Sequence, residues 1–266
     1  MTQEAQSRIK GCYFYYQDIQ HGKGLDGVGK KVTAQIGAFN NAGYACDFIL
    51  CEQPESVESK VLSCLPFASD GVRWPHPESL KEYSFIYIRR PRFFSKDLTL
   101  LLKETKRRSP DIKIIVEVPT YPYDSEMKSP LLYPALIKDR ISRKELQAFV
   151  NRVSTPAIDK EIFGVETIYM MNGIDLSSIL QKEPAPSLDE VHIIAVASFS
   201  RWHGLDRFIS GMTNYYRESS SQRNIVLHVA GEGSEIEALK KQAKAAGLTR
   251  QILFHGYCGQ EALGTL

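Results

Sequence analysis

The 266-residue chain is 43% hydrophobic and 24% charged, which is the composition of an ordinary globular protein with room for one large domain or two of usual size. Its formal net charge of +2 is too small to indicate a nucleic-acid partner or a strong attraction to membranes. The five cysteines form no CxxC pair and lack metal-ligand spacing, so we interpret them as reduced thiols.

The chain shows no sign of export or membrane insertion. Its first residues lack the apolar core of a signal peptide, and no run of about 18 apolar residues would span a bilayer. We therefore expect a soluble cytoplasmic protein whose contact with a membrane, where it occurs, is peripheral.

The first two thirds of the chain alternate short apolar runs with amphipathic stretches, a pattern typical of α/β proteins. A glycine-rich loop and a helix follow the first strand, and Ser95 is placed to cap a second helix that ends before Pro110. The predicted strands of this part are residues 12–16, 45–50, 85–88, 113–118 and 166–171.

After a proline-rich stretch at 181–190 the same alternation begins again. Ser234 and Glu237 have the spacing of a capping box at the start of a helix. The predicted strands here are residues 193–197, 225–230 and 252–254. We predict an α/β fold with mostly parallel sheets in two domains, residues 1–175 and 191–266, joined by a linker at 176–190. The second domain is shorter than is usual, so we interpret it as incomplete.

Parallel sheets of this kind bind ligands at the carboxyl ends of their strands. In the second domain the stretch SFSRWHG joins a buried strand to a helix N-terminus, where free N–H groups and the helix dipole favour an anion. Ser200, Arg201 and His203 would add donors and charge, which suits a phosphate oxygen. A solvated surface turn explains the same residues equally well, so this stretch alone leaves both interpretations open.

Polar strand ends in the first domain are the other candidates. The glycine-rich loop matches neither a Walker loop nor GxGxxG, and a flexible connector is its alternative interpretation. The stretch EVPTYPYDSE is stiffened by two prolines, and YIRRP brings positive charge to a strand end. The candidate residues are Gly27, Gly29, Arg90, Glu117, Tyr121, Tyr123 and Asp124.

Several stretches together resemble a known family. In order and spacing, NGID, AVASFSRWHGLDRFI, LHVAGEGSEIEALKKQA and ILFHGY resemble the carboxyl-terminal half of family 4 glycosyltransferases, the group 1 enzymes. In the first domain YIRRP, EVPTYPYDSE and IFGVETIYMMNGID resemble a bacterial branch that makes surface polysaccharides. The succession of motifs is specific, whereas no single motif is.

The resemblance implies a GT-B type fold, in which two Rossmann-like domains face each other across a cleft. It implies a retaining transfer of a sugar from a nucleotide-diphosphate sugar, bound by the second domain, to a hydroxyl of a glycan or polyprenyl-linked acceptor, bound by the first. It implies no metal and no other cofactor. Peripheral contact would be with the cytoplasmic face of the inner membrane.

The resemblance also distributes roles among the residues. His203 would stabilise the leaving group, and Glu117 and Asp124 are the acidic candidates for catalysis. The acceptor would contact Arg90, Tyr121 and Tyr123. The donor diphosphate would be held by Gly27, Gly29, Ser200, Arg201, His203 and Arg207, and the nucleotide by Glu232, Gly233, Gly256 and Tyr257.

The chain departs from the family pattern in three ways. Ser198 stands where members have an arginine, His203 stands where they have a lysine, and the stretch with the ribose-binding glutamate is lacking. A non-catalytic, truncated relative is therefore the main alternative. A dinucleotide-dependent oxidoreductase is a weaker one, because Glu52 would supply its acid but the glycine pattern is wrong.

Overall fold

The computed structural model describes residues 9–19, 27–127, 130, 132–173, 190–218 and 223–265. The chain divides into two compact units, Met1–Gly173 (unit 1) and Ile174–Leu266 (unit 2). The predicted linker lies outside the described residues except for Glu190, which begins a strand.

Unit 1 is built on one sheet. Its strands are β1 (Lys10–Tyr15), β2 (Ala45–Leu50), β3 (Phe85–Arg89), β4 (Lys113–Glu117), β5 (Arg152–Thr155), β6 (Glu161–Ile162) and β7 (Val165–Tyr169). The order is β2-β1-β3-β4-β5-β7-β6, with parallel pairing throughout except between β6 and β7. The longer helices are α1 (Gly27–Asn41), α2 (Val57–Ser63), α3 (Lys96–Arg108) and α4 (Tyr133–Ser142).

The sheet of unit 1 is covered on both faces. Along β3, Ile86 and Ile88 belong to one buried cluster, whereas Phe85 and Tyr87 belong to another together with Val32 of α1. Because successive side chains of a strand point to opposite faces, the two clusters lie on opposite sides of the sheet. This arrangement is the usual one for parallel sheets and explains why these strands read as continuous apolar runs.

Unit 2 contains a smaller parallel sheet. Its described elements are β8 (Glu190–Val196), α5 (Leu205–Glu218), β9 (Asn224–Ala230), α6 (Ile236–Ala245), β10 (Ile252–Gly256) and α7 (Gln260–Thr265), and the strand order is β10-β9-β8. Leu227 and Val229 of β9 pack in one cluster with Ile209 of α5 and Leu239 of α6. The predicted α/β fold with parallel sheets is thereby confirmed.

Two local predictions have different outcomes. Ser95 caps α3, because its hydroxyl accepts a hydrogen bond from the Leu98 N–H at 3.1 Å. The predicted capping box of Ser234 and Glu237 is wrong: α6 begins at Ile236, and its N-cap residue, Glu235, makes no side-chain cap hydrogen bond. No helix in the described residues is both long enough and apolar enough to cross a bilayer.

Candidate functional site

The strand-to-helix turn of unit 2 has a defined geometry. After β8 a single 3₁₀ turn, Arg201–His203, leads through Gly204 into α5, and Gly204 has a φ of 68°. The Ser200 nitrogen lies 3.0 Å from Nδ1 of His203, and the Ser200 carbonyl oxygen lies 3.1 Å from the same atom. In the tautomer that accepts from the Ser200 N–H at Nδ1, the proton is on Nε2, which is then a donor beside the helix N-terminus.

The two glycines of the GEG stretch allow close backbone contact with this turn. A Cβ at Gly231 would lie 2.0 Å from the Ala197 carbonyl oxygen, and one at Gly233 would lie 2.2 Å from the Phe199 carbonyl oxygen. Both glycines also have positive φ, of 137° and 147°. The contact is held by a hydrogen bond of 2.6 Å from the Phe199 N–H to the Glu232 carbonyl. Only glycine fits both positions, because a side chain would separate the two loops.

Two pockets flank this contact at the carboxyl ends of the strands. The larger, of about 330 Å³, is lined by residues that include Glu232, Gly233 and Gly256. The smaller is a shallow cleft of about 10 Å³ and is lined by residues that include Ser200 and Arg201. The structure therefore brings together three of the four predicted nucleotide-binding residues. The fourth, Tyr257, is 70% exposed and does not line the larger pocket.

The remaining predicted cation of this turn, Arg207, lies against Gly204. A Cβ at Gly204 would lie 2.3 Å from a guanidinium nitrogen of Arg207. Arg207 and Arg201 are both exposed. Charge is therefore available on the α5 side of the turn, although neither arginine lines the larger pocket.

Glu117, a predicted catalytic residue, is buried at the end of β4 with only 1% of its side chain exposed. Its carboxylate accepts hydrogen bonds from Lys31 Nζ at 2.6 Å, Arg89 Nη1 at 2.8 Å and the Tyr13 hydroxyl at 3.1 Å. Its oxygens are closed off from solvent and engaged by three donors of the chain, so they are not accessible to an acceptor hydroxyl. Glu117 ties α1 and β3 to β4, so we regard it as a positioning residue.

The first turn of α1 contains Gly27 and Gly29. We predicted both in a loop that approaches the donor diphosphate, and the structure corrects this placement, because both lie within the helix. Gly27 is exposed and Gly29 is buried. One turn further on, Lys31 pairs with Glu117 at 2.6 Å and fixes this end of α1 against β4. Most of the predicted glycine-rich loop, residues 20–26, lies outside the described residues.

Asp124, the second acidic candidate, forms ion pairs with Arg140 and Arg143, each at 2.7 Å. The hydrogen bond from Arg143 and the charge of Arg140 hold its pKa below the ordinary value of 3.8, outweighing its partial burial. Asp124 therefore remains ionised at neutral pH and is engaged by two guanidinium groups.

The predicted acceptor residues form one cluster. The Arg90 guanidinium lies over the Tyr123 ring at 3.9 Å and pairs with Glu126 at 2.7 Å. Tyr121 and Tyr123 both contact the ring of Phe163, with centroid separations of 5.7 and 6.0 Å. Tyr123 is only 1% exposed, so of the two tyrosines only Tyr121 is accessible to a ligand.

Sequence reasoning missed two residues of this cluster. Phe163 has a φ of 56° at the tip of the hairpin between β6 and β7, and it also contacts Phe94. Arg143 lies over the Phe163 ring at 4.8 Å. Arg143 belongs to none of the stretches singled out above. Phe163 lies in the stretch IFGVETIYMMNGID, where the sequence Phe-Gly at residues 163–164 is compatible with a tight hairpin turn but gives no sign of the ring contacts.

Comparison with known protein families finds a similarity for unit 2. Residues 178–266 match the family described as Glycosyl transferases group 1. The matched region lies within unit 2 and contains the turn at Ser200–Gly204, the GEG stretch and both flanking pockets.

Solved structures share the fold of the chain. It is similar to a lipopolysaccharide outer core galactosyltransferase, WaaB (TM-score 0.52, 11% identity, 95% of this chain and 69% of that one). It is also similar to Anabaena HepE in complex with UDP-glucose (0.50, 12%, 94% and 70%) and to OtsA (0.54, 10%, 97% and 76%). A comparison with curated proteins gives no significant match. These likenesses establish a fold shared with GT-B glycosyltransferases.

Metal ligands were not predicted. Within the part of the chain that the structure describes, no group of three or more histidine, cysteine, aspartate or glutamate side chains is arranged to hold a metal ion.

Proposed function

We propose that the protein transfers a sugar, with retention of anomeric configuration, from a nucleotide-diphosphate sugar to a hydroxyl of a glycan or lipid-linked acceptor. The observation that carries the proposal is the pocket of about 330 Å³ in the region that matches the group 1 glycosyltransferases, which Glu232, Gly233 and Gly256 line together. A carboxylate and exposed backbone groups at strand ends suit the hydroxyls and polar edges of a nucleoside.

The diphosphate of the donor would lie at the adjoining turn. There the Nε2–H of His203, the first N–H groups of α5 and the charges of Arg201 or Arg207 would meet its oxygens. As the bond from the anomeric carbon to the diphosphate breaks, negative charge grows on the leaving oxygen. Donors fixed before the reaction stabilise that charge without reorganising, and mutagenesis of comparable donors indicates about 3 kcal/mol for each.

We assign the acceptor to unit 1, with Arg90 and Tyr121 as its contacts. WaaB and HepE, which share the fold, are a lipopolysaccharide galactosyltransferase and a protein solved with UDP-glucose, which favours a surface glycan as product. We also propose that the reaction needs no metal ion and that it takes place at the cytoplasmic face of the inner membrane. Because Glu117 is buried, the acidic candidate that remains is Asp124, in the role of orienting the acceptor.

A calorimetric titration with a panel of UDP-, GDP- and ADP-sugars and of nicotinamide dinucleotides, with and without EDTA, tests the donor assignment. We expect one nucleotide to bind, and His203→Ala to weaken that binding about tenfold or more through loss of a charge-assisted donor. His76→Ala, which removes an exposed histidine of unit 1, is the matched control and should bind like the wild type.

Other outcomes would contradict the proposal in different ways. Binding of a nicotinamide dinucleotide alone would identify an oxidoreductase, and no binding at all would identify a non-catalytic relative. If a donor binds, the anomeric configuration of the transferred sugar, read by NMR, tests retention.

A further inference from the structure

Unit 1 has a pocket that the proposed donor and acceptor residues do not use. It is a small pocket of about 50 Å³, and it lies at the carboxyl ends of β2 and β3. Pro54, Val72 and Phe93 supply apolar walls, and Lys60 and Arg92 line it as well. Both cations are exposed, and neither has an ion-pair partner in the described residues. An anion is the group that would complete this pocket.

The one acid of the pocket does not neutralise these cations fully. Asp70 is 4% exposed, and its carboxylate accepts hydrogen bonds from the Val72 N–H at 2.9 Å, Trp74 Nε1 at 3.0 Å and the Ser95 hydroxyl. Its acceptor capacity is therefore used within the chain. Burial also raises its pKa, although its three donors oppose the shift. The positive charge of Lys60 and Arg92 remains available to a ligand.

A stretch of exposed apolar side chains borders the pocket. We call residues 57–67 the apolar segment, which comprises α2 and the turn after it. Its exposed apolar residues are Val57 (76% exposed), Val61 (48%), Leu62 (58%), Leu65 (44%) and Phe67 (98%). Lys60 and Ser63 belong to both the segment and the pocket lining, so the two features are continuous. Five large apolar side chains exposed within one short segment favour an interaction surface.

The apolar segment is fastened on its inner side. Lys138 of α4 is 1% exposed, and its ammonium donates to the carbonyl oxygens of Ser63 and Ala68, each at 2.8 Å. Beyond the segment, the Asp97 carboxylate accepts from the Ser69 hydroxyl at 2.9 Å and the Asp70 N–H at 2.6 Å. These bonds hold the turn so that Phe67 faces solvent. Burying an ammonium group costs free energy unless it is hydrogen-bonded, so the two bonds of Lys138 indicate that the conformation of this turn is stabilised within unit 1.

We propose that the pocket and the apolar segment together dock a phosphate-headed lipid at a bilayer surface. Lys60 and Arg92 meet the phosphate, and Phe67 with its apolar neighbours enters the boundary between headgroups and acyl chains. Glu55 and Glu58 are exposed in or beside the segment and offset its diffuse positive field. We therefore expect the surface to bind a lipid whose phosphate monoester enters the pocket in preference to a bilayer whose negative charge is distributed over many lipids.

Under the proposed function, this surface would bring the protein to the membrane that holds its lipid-linked acceptor. That link rests on the proposed function, whereas lipid docking itself does not. The two are separable, since docking is measured on vesicles and the donor site is measured by sugar-nucleotide titration of the same protein.

Vesicle co-sedimentation of the full chain tests the proposal. The vesicles are phosphatidylcholine alone, or with phosphatidylglycerol, phosphatidic acid or undecaprenyl phosphate added at matched total charge. We expect the phosphate monoesters to bind best. Lys60→Ala combined with Arg92→Ala should weaken that binding about tenfold or more, because each cation near an anionic surface contributes about 1 kcal/mol. Phe67→Ser should weaken it about tenfold by removing a buried aromatic ring from the boundary.

Matched controls separate these effects from general loss of charge or apolar surface. Lys103→Ala with Lys113→Ala removes two exposed lysines outside the pocket, and Ile158→Ser removes a side chain that is 91% exposed elsewhere in unit 1. Both controls should bind vesicles like the wild type. The proposal is overturned if the protein does not bind vesicles, or if the pocket variants bind them as well as the wild type does. It is also overturned if soluble inorganic phosphate binds tightly, Phe67→Ser leaves that binding unchanged, and vesicles do not enhance it.

Discussion

The two sheets of the protein bury their strands differently, although the same strand–helix alternation builds both. In unit 1, β3 carries buried side chains on both faces. In unit 2, β8 alternates between half-buried and exposed residues, and Ile194 and Val196 are 45% and 57% exposed. Parallel sheets are normally covered on both sides. The central strand of unit 2, β9, is buried on both faces from Val226 to Ala230, so the difference is confined to the edge strand β8, whose outer face should tolerate polar substitution.

The largest expected effect comes from placing the same polar substitution in each sheet. Ile86 of β3 is fully buried, so Ile86→Ser leaves a cavity and a buried hydroxyl, and should cost about 4 kcal/mol of the free energy of unfolding. Ile194→Ser, on the exposed face of β8, should change it by less than about 1 kcal/mol. Urea unfolding of both variants measures the difference. Equal destabilisation would mean that the exposed face of β8 is covered in solution.

The next largest effect concerns the buried carboxylate of unit 1. Glu117→Ala leaves Lys31 and Arg89 without their shared partner inside the unit, and should destabilise it by about 3 kcal/mol. Glu126→Ala is the matched control, because it removes a half-exposed partner of Arg90 and should cost less than about 1 kcal/mol. If instead the protein stays stable and only turnover is lost, Glu117 is a catalytic residue after all.

A smaller effect is expected where unit 2 depends on backbone contact. Gly233→Ala places a Cβ against the Phe199 backbone at a positive φ, and should cost about 2 kcal/mol and open the loop to protease. Gly211→Ala in α5 meets no atom within 4 Å and should be neutral or slightly stabilising. Hydrogen exchange of the strands of unit 2 measures both. Unchanged protection in Gly233→Ala would show that the two loops separate without cost.

The parts of the fold that depend on short-range sequence patterns could be predicted from the sequence. Apolar runs located most of the strands, and the glycines of GEG identified a turn that the structure places against Phe199. The strands β5 and β6 were missed, because both are very short and the surrounding segment mixes polar and apolar residues.

The candidate site was predictable to a lesser degree, because side-chain roles depend on long-range contacts. Sequence position indicated that Glu117 ends a strand, but not that Lys31, 86 residues earlier, would close it off. Similarly, Lys138 looks like an ordinary helix lysine in the sequence, yet its partners lie 75 and 70 residues away. Residues within one loop, such as Ser200 and His203, were brought together as predicted, since their proximity is local.

The smallest expected effect depends on pH and tests whether unit 1 also gains stability from a partly exposed ion cluster. Asp124 has a lowered pKa because Arg143 and Arg140 favour its charged form. A carboxylate with a lowered folded-state pKa stabilises the fold above its unfolded value, and this contribution disappears as pH falls through the lowered value.

Asp124→Asn should therefore lower the free energy of unfolding by up to about 1 kcal/mol at pH 7, since the group keeps contact with solvent. The difference from the wild type should shrink as the pH falls below about 3.8, the ordinary pKa of the group. Urea midpoints at several pH values measure it, with the exposed Asp159→Asn as control. A difference that persisted undiminished at the lowest pH would assign the role of Asp124 to hydrogen bonding, which an asparagine fails to reproduce, rather than to its charge.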